Sequence, residues 1–549
     1  MRVLGINAVF HDPAAALVVD GEIVAAAEEE RFSRRKHGKR PVPFSAWEMP
    51  EQAARWCLCQ AGLRPDDLDA VAYSFDPAMA SEAARLGLDD PWDHLRQTYV
   101  RQAPSFLSDI LPGLDPGVVQ FVPHHVAHAG SAALAGPEGG GAVLVLDGRG
   151  ESTSHLAGKY TRGHLETFAA QRLPHSVGLF YEGLTEHVGF LRSSDEYKVM
   201  ALAAYGSPRY LPKVRQYLYS TGDGGFHALN PPWEEWVQRR LPDQSVTDEH
   251  ADLAASVQAC LEEVLLDLVR WLHGRSGGRL LCLAGGVALN CVANARLAAE
   301  GPYDHVWVQP AAGDAGTALG AALHLTAERG RTARPMSGAD LGRGWTDAEL
   351  ESWLVRAAMP YERPADLASV VADELAADRV VAWFQGRSEY GPRALGHRSL
   401  LANPAHPGNL ERLNEIKGRE QFRPVAPMVL AERAAEIFHG QLPSPYMVFV
   451  HRIDEAWRER IPAAVHVDGT ARIQTVDHAD EPLLARLLAR FEERTGLPVL
   501  INTSLNTAGR PMVDDPRDAL ECFGSAPVDV LVLGPFVVRR GAAFGGGPT

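Results

Sequence analysis

The feature that most constrains this chain is a pattern that occurs twice near its start. Residues 2–28 read as a short strand with Val3 and Leu4, a turn GINAVFHD, a strand AAALVV, the pair Asp20-Gly21 and a strand EIVAAA. An Asp-Gly pair between two apolar runs is a hairpin signal, because both positions accept positive φ. Residues 142–169 return to the same order: AVLVLDGRGE, STSHLAGKY, the turn TRGH and LETFAA. Two such copies predict two structurally related halves.

Val122–Glu151 enters the second copy and reads VPHHVAHAGSAALAGPEGGGAVLVLDGRGE. His124 and His128 are four apart, so a helix projects them from one face, where both can ligate one metal ion. His125 points elsewhere. Asp147 ends the following strand, where the sheet fixes its carboxylate. The competing reading is a polar helix start that carries histidines. Residues 185–206 look helical around a polar insertion, and 250–273 carry apolar residues at helical spacing over about six turns. RLLCLAGGVALNCVANARL then gives a strand, the turn Gly285-Gly286 and a helix whose N–H groups can meet an anion or nucleoside. After the strand HVWVQP, Asp314 sits in the Gly-rich turn that opens the next helix. It is either a second acid for the cleft or a helix cap.

A polar, Gly/Pro-containing stretch at 328–345 marks the expected domain boundary, giving domains 1–340 and 341–549. Beyond it, cations sit beside glycines and strand ends: Arg387, Arg393, His397 and Arg398, then Lys417, Arg419 and Arg423, then Arg472 ahead of Asn502, Thr503, Ser504 and Asn506. A solvated basic face would be spread along helices and interleaved with Glu. Guanidinium groups with a Lys and hydroxyl donors suit a small phosphorylated ligand instead.

Composition narrows the partners. With 46% hydrophobic and 22% charged residues in 549, the chain has a soluble globular balance, and a formal net charge of -16 argues against a broad grip on nucleic acid. Six cysteines without a C-x-x-C pair fit reduced thiols in a cytoplasm. No signal peptide and no run of 18 apolar residues is present, so a cytoplasmic, non-membrane protein is expected.

The duplicated hairpin resembles the actin-like, sugar-kinase-like ATPase architecture. Taken with HHVAHAGSA, PHSVGLFYEGLTEHVGF, LAGGVALN, GDAGTALG, GRSEYGPRALGHRS, IKGREQFRPVAP, HVDGTARIQTV and INTSLN, nearly the whole chain resembles the nodulation-protein-U and cephamycin type of O-carbamoyltransferases, the group that includes an antibiotic-modifying tobramycin enzyme. Departures are Leu505 where Phe is usual, Arg510 where Glu is frequent, and the AVF turn before His11. The resemblance implies an α/β protein with an actin-like (ASKHA, Kae1-like) N-terminal domain of duplicated halves and a YrdC-like C-terminal domain. It implies an iron-like divalent metal on His124, His128, Asp147 and Asp314, and nucleotide contacts from Gly148, Gly178, Lys198, Gly285, Gly286, Asn290 and Gly313. Carbamoyl phosphate would be held through Arg387, Arg393, His397, Lys417, Arg419, Arg423, Arg472, Asn502, Thr503 and Ser504, with Lys417 and Arg472 taking part in catalysis.

The implied reaction joins a carbamoyl group to AMP from ATP, with Mg, and passes it to a hydroxyl of a small molecule such as an antibiotic or other secondary metabolite. Carbamate is a poor electrophile, and a mixed anhydride with AMP supplies a leaving group. His11, held by Asp12, is the expected general base, the alternative being a turn histidine bonded to backbone. A threonylcarbamoyl-adenosine tRNA-modifying enzyme would share both domain types, but the acidic balance opposes it. An actin-like nucleotide-binding regulator has no use for metal-spaced histidines. Acceptor identity, the metal and dimerisation are left open.

Overall fold

In the computed structural model, which describes residues 1–38 and 48–545, the two repeated segments build two five-stranded sheets of one design. β1 (Arg2–Asn7), β2 (Ala14–Val19) and β3 (Glu22–Glu28) form an antiparallel meander. β4 (Ala70–Tyr73) and β5 (Val119–Phe121) add in parallel on the other side of β1, giving the order β3-β2-β1-β4-β5. β6 (Gly141–Leu146), β7 (Thr153–Thr161), β8 (His164–Arg172), β9 (Leu280–Ala284) and β10 (His305–Val308) repeat this as β8-β7-β6-β9-β10, with the same senses of pairing. Both hairpins turn on two residues of positive φ, Asp20 (50°) and Gly21 (89°), then Arg162 (53°) and Gly163 (80°). That backbone matches the twist of the strands it joins.

The helices that matter for the site cross between the halves. α1 (His124–Ala133) follows the first sheet but packs on β6, β7 and β9 of the second. α2 (Val177–His187), α3 (Glu196–Ala203), the 29-residue α4 (Asp248–Ser276) and α5 (Cys291–Glu300) belong to the second half. α6 (Ala315–Glu328) ends that half yet packs on β1, β2 and β4 of the first, and against α1. α1 and α6 meet backbone to backbone at Gly130 and Gly320. A Cβ on Gly320 would lie 1.8 Å from the Ala127 carbonyl oxygen, so no other residue fits that crossing. The central strands are buried on both faces, as sheets covered by helices require.

The chain divides into two units, Met1–Ser337 and Gly338–Thr549, the division falling inside the polar 328–345 stretch. In the second unit β11 (Val381–Phe384), β12 (Arg398–Ala402), β13 (Ala426–Leu430), β14 (Gln474–Val476), β15 (Val499–Ser504), β16 (Val530–Leu533) and β17 (Phe536–Arg539) form one mixed sheet in the order β14-β13-β15-β12-β11-β16-β17. Its core gathers Trp383, Phe384, Phe491, Phe523 and Phe536. A small sheet is formed by Phe438–His439, Val450–Ile453 and Thr470–Arg472. The architecture is α/β, as expected: a first unit of duplicated halves is followed by a second unit built on one mixed seven-stranded sheet. Among the described residues no helix is long and apolar enough to cross a membrane, and none of the six cysteines is in a disulfide.

Candidate active site

Three elements that are distant in sequence converge at the α1–α6 crossing. α1 presents His124 and His128 from its first turns, β6 delivers Asp147 just past its last residue, and Asp314 stands at the start of α6. One ligand atom from each lies within 4.8 Å of all the others. Nε2 of His124 is 3.4 Å from Asp147 Oδ2 and 3.6 Å from Asp314 Oδ1, and Nε2 of His128 is 3.6 Å from the same Asp314 oxygen. All four residues are buried.

The surroundings fix which atoms face inward. The His124 ring sets Nδ1 3.1 Å from the Ser74 carbonyl oxygen, where it donates and leaves Nε2 as the ligand atom. Asp147 Oδ1 accepts from the Gly286 N–H at 2.9 Å, which turns Oδ2 toward the imidazoles. Asp314 occupies the cap position of α6, but its side chain caps nothing, so the helix-cap alternative does not describe it. Both its oxygens, Nε2 of His124 and both ring nitrogens of His128 are buried without a hydrogen-bond partner. Buried polar atoms left this way are costly unless a ligand completes them. Two imidazoles and two carboxylates form a donor set for a divalent metal, and the orphaned atoms fit one. Burial disfavours charge on His124, yet Asp314 and Asp147 hold its pKa well above the ordinary value. The same pairing overcomes desolvation at Asp314 and Asp147, whose carboxyls lie well below the usual range.

His125, although it adjoins His124 in the chain, faces Thr153 Oγ1 at 2.9 Å, away from the cluster. His11 lies beside the four ligands, with Nε2 3.8 Å from Asp314 Oδ2 and Nδ1 2.9 Å from Asp12 Oδ2. Four residues that sequence reasoning missed support this arrangement. Glu151 accepts from the backbone N–H of His124 (2.8 Å) and of Asp76 (2.9 Å), anchoring the start of α1. Buried Asn7 donates to the carbonyls of His11 and Asp12, Ser74 bonds Asn7, and Thr317 lies 2.8 Å from the Ser74 hydroxyl. Glu151 stood inside the histidine stretch, but no local spacing signals the others.

The expected nucleotide residues ring the same cleft in part. Gly178 opens α2 against Gly148, and a Cβ on Gly178 would come 2.7 Å from the Gly148 Cα. Ser176 caps α2 and donates to the Gly148 carbonyl at 2.7 Å, which explains that contact. Gly285 has φ 92° and passes over the Leu146 carbonyl, placing the Gly286 N–H on Asp147. Gly313 directly precedes Asp314. Asn290 caps α5 through Ala293 and is paired with Gln258, while Lys198 forms an ion pair with Asp195 at 3.1 Å.

In the second unit the geometry sorts the basic cluster. Lys417 is buried and its ammonium donates to Ser504 Oγ at 3.0 Å, as well as to the Ser504 carbonyl and Asn506. Arg472 ends its strand two residues before Gln474. Asn502 is fully buried: its amide donates to the Ala394 carbonyl and Gln474 Oε1, while its Oδ1 has no hydrogen-bond partner. Strand alternation turns Thr503 to the face of β15 opposite Ser504. Arg387 donates to the Gly342 and Leu341 carbonyls, Arg419 to Asn414, and Arg423 pairs with Glu420. Arg398 stacks on Phe384 and binds backbone carbonyls, a structural role. Buried Glu389, also missed, accepts the N–H groups of Leu395, His397 and Arg398 and shapes the loop that carries Arg393.

Comparison with known proteins follows the same division. The family model for the carbamoyltransferase N-terminus matches residues 2–115 and 113–323, and that for the C-terminus matches 372–540. The chain belongs to the carbamoyltransferase family and is an enzyme of that class. It is 36% identical to Nodulation protein NolNO of Sinorhizobium fredii, over 98% of this chain and 80% of the relative. Nodulation protein U of the same organism is 32% identical over 93% of this chain and 94% of the relative. Among solved structures, T. kodakarensis HypF overlaps 60% of this chain and 48% of its own at 13% identity and a TM-score of 0.32. An overlap of that size bears on neither chemistry nor substrate.

Proposed function

We propose that this carbamoyltransferase uses ATP and carbamoyl phosphate to form a carbamoyl adenylate and transfers its carbamoyl group to a hydroxyl of a small molecule. The observation that carries this reading is the adjacency of His11 to a buried two-histidine, two-carboxylate cluster whose inward atoms have no partner. Residues 338–549 would bind carbamoyl phosphate through Lys417, Ser504 and Arg472, with Arg393 and His397 contributing charge. Hydrolysis of carbamoyl phosphate gives carbamate and inorganic phosphate. A carbamate oxygen then attacks the α-phosphorus of ATP and displaces pyrophosphate. Residues 1–337 would hold the adenylate, with Gly148, Gly285, Gly286 and Gly313 allowing close backbone approach. His11 Nε2 takes the proton of the acceptor hydroxyl, the acceptor oxygen bonds the carbamoyl carbon, and the bond to the AMP phosphate breaks. Held by His124, His128, Asp147 and Asp314, a divalent ion such as iron would supply Lewis-acid polarisation and charge neutralisation in the cleft.

The test incubates the protein with carbamoyl phosphate, ATP with Mg, and a panel of hydroxylated antibiotics and sugars. Pyrophosphate should appear only when carbamoyl phosphate is present, and mass spectrometry should find one acceptor gaining a carbamoyl group. ATP consumption that ignores carbamoyl phosphate would refute the scheme.

A further inference from the structure

Asp12 does more than touch His11. Its Oδ2 is 2.9 Å from His11 Nδ1, and its Oδ1 is 2.8 Å from Nδ1 of His37, so one carboxylate bridges two imidazoles. The bridge is built into the backbone. Asp12 has φ 49° and His37 φ 58°, both in the left-handed region that few non-glycine residues enter. The Asp12 N–H donates to the His37 carbonyl at 3.3 Å, and the His37 N–H donates to Glu30 Oε2 at 2.8 Å. Asn7 grips the other side of the loop through the His11 and Asp12 carbonyls, each at 2.9 Å.

Asp12, Glu30 and His37 also lie close enough together to suit a cation. Both Asp12 oxygens already accept from imidazoles, however, and Glu30 Oε2 is taken by a backbone N–H. Hydrogen bonding therefore accounts for the cluster. The arrangement orders His11. With Oδ1 tethered, Asp12 cannot rotate away from His11 Nδ1, and the proton held there leaves Nε2 as the atom turned toward Asp314.

We propose that His37 is a positioning residue for transfer, acting through Asp12 to hold His11 with its proton on Nδ1 and its Nε2 directed into the cleft. The inference rests on His11 being the base. Loss of the tether leaves Asp12, whose side chain is 24% exposed, held from one side only.

The test reads the His11 Nδ1–H proton by NMR on the full-length, histidine-labelled protein loaded with zinc, which is diamagnetic. The resonance is identified by its absence in His11→Asn. In the unmodified protein it should lie far downfield and exchange slowly with water. His37→Ala should speed that exchange by about tenfold or more, or abolish the signal, with little change in melting temperature. His37→Asn keeps a donor near the position of Nδ1 and should restore the slow exchange. An unchanged resonance in His37→Ala overturns the proposal. So does an Asn variant as fast as the Ala variant, since the tether would then not be the Nδ1 donor. Should His37→Ala unfold, Asp12→Asn and His37→Asn still decide the matter, because the first must lose the resonance and the second must keep it. The base reading is judged separately: a His11→Asn enzyme that still carbamoylates its acceptor refutes it, whatever the resonance does.

Discussion

Unpartnered buried atoms give the cleft its chemistry. Nε2 of His124, both nitrogens of His128 and both oxygens of Asp314 are desolvated and unbonded in the protein alone. A divalent metal ion would satisfy two imidazoles and two carboxylates at once. Purified protein should carry about one divalent ion per chain, and His128→Ala should bind it at least about tenfold more weakly, read by elemental analysis after dialysis. Full metal content in that variant would overturn the assignment. Chelation should lower the melting temperature, because an ion that binds only the folded state stabilises it. In the second unit, burial opposes charge on His397, but its 2.9 Å bond to Glu481 and the field of Glu389 lift the pKa above its ordinary value. The stability from that pair is fully present below the unfolded value of about 6.5 and is lost as pH rises through the folded one. Glu481→Gln should therefore cost about 1–2 kcal/mol near pH 6 and much less near pH 9, measured by denaturant unfolding. An equal cost at both pH values would show that the imidazole is neutral.

At the level of elements, the crossing of α1 and α6 holds the ligands in register, since each helix starts at the cleft and packs on the other half's sheet. Gly320→Ala would drive a Cβ to 1.8 Å from the Ala127 carbonyl oxygen, backbone against backbone with no side chain to yield. That variant should lose about 3 kcal/mol or more and its metal together. Gly274, in α4, is the control, because a methyl group there would meet nothing within 4 Å. Gly274→Ala should gain about 0.5–1 kcal/mol by helix propensity alone, with metal content unchanged. A Gly320→Ala protein that melts normally would mean that the helices separate freely, and that the ligand geometry does not depend on their contact.

Across the whole molecule the two sets of functional groups lie in different units, the histidine and acid cluster before Ser337 and the Lys417–Ser504 pair after Gly338. The half-reactions should separate accordingly. If Arg472 holds carbamoyl phosphate as proposed, Arg472→Ala removes a charge-assisted contact worth about 1.5–3 kcal/mol and should abolish carbamoyl-phosphate-dependent pyrophosphate release. Asp147→Ala should still release pyrophosphate and yield little carbamoylated acceptor. If both variants lose pyrophosphate release alike, adenylate formation depends on the metal cluster and the division of labour is wrong. The duplicated hairpins, the helical spacing of His124 and His128 and the glycine turns were legible in the sequence, because periodicity and turn chemistry act over a few residues. Residues 122–151 also announced the largest part of the cleft. Strand burial was harder to read: INTSLN does not show that β15 lies inside the sheet, where the Asn502 amide bonds Gln474 Oε1 and alternation turns Thr503 to the face opposite Ser504. The sequence by itself determined the duplicated strand pattern, the two-unit plan and the residue types available for catalysis, all of which follow from local pattern. The meeting of Asp314 with His124 was expected from the family resemblance and not from any local pattern; only the tertiary structure decided that Ser74 and Gly286 orient His124 and Asp147 and that His37 reaches Asp12, because those contacts join segments that no local rule brings together.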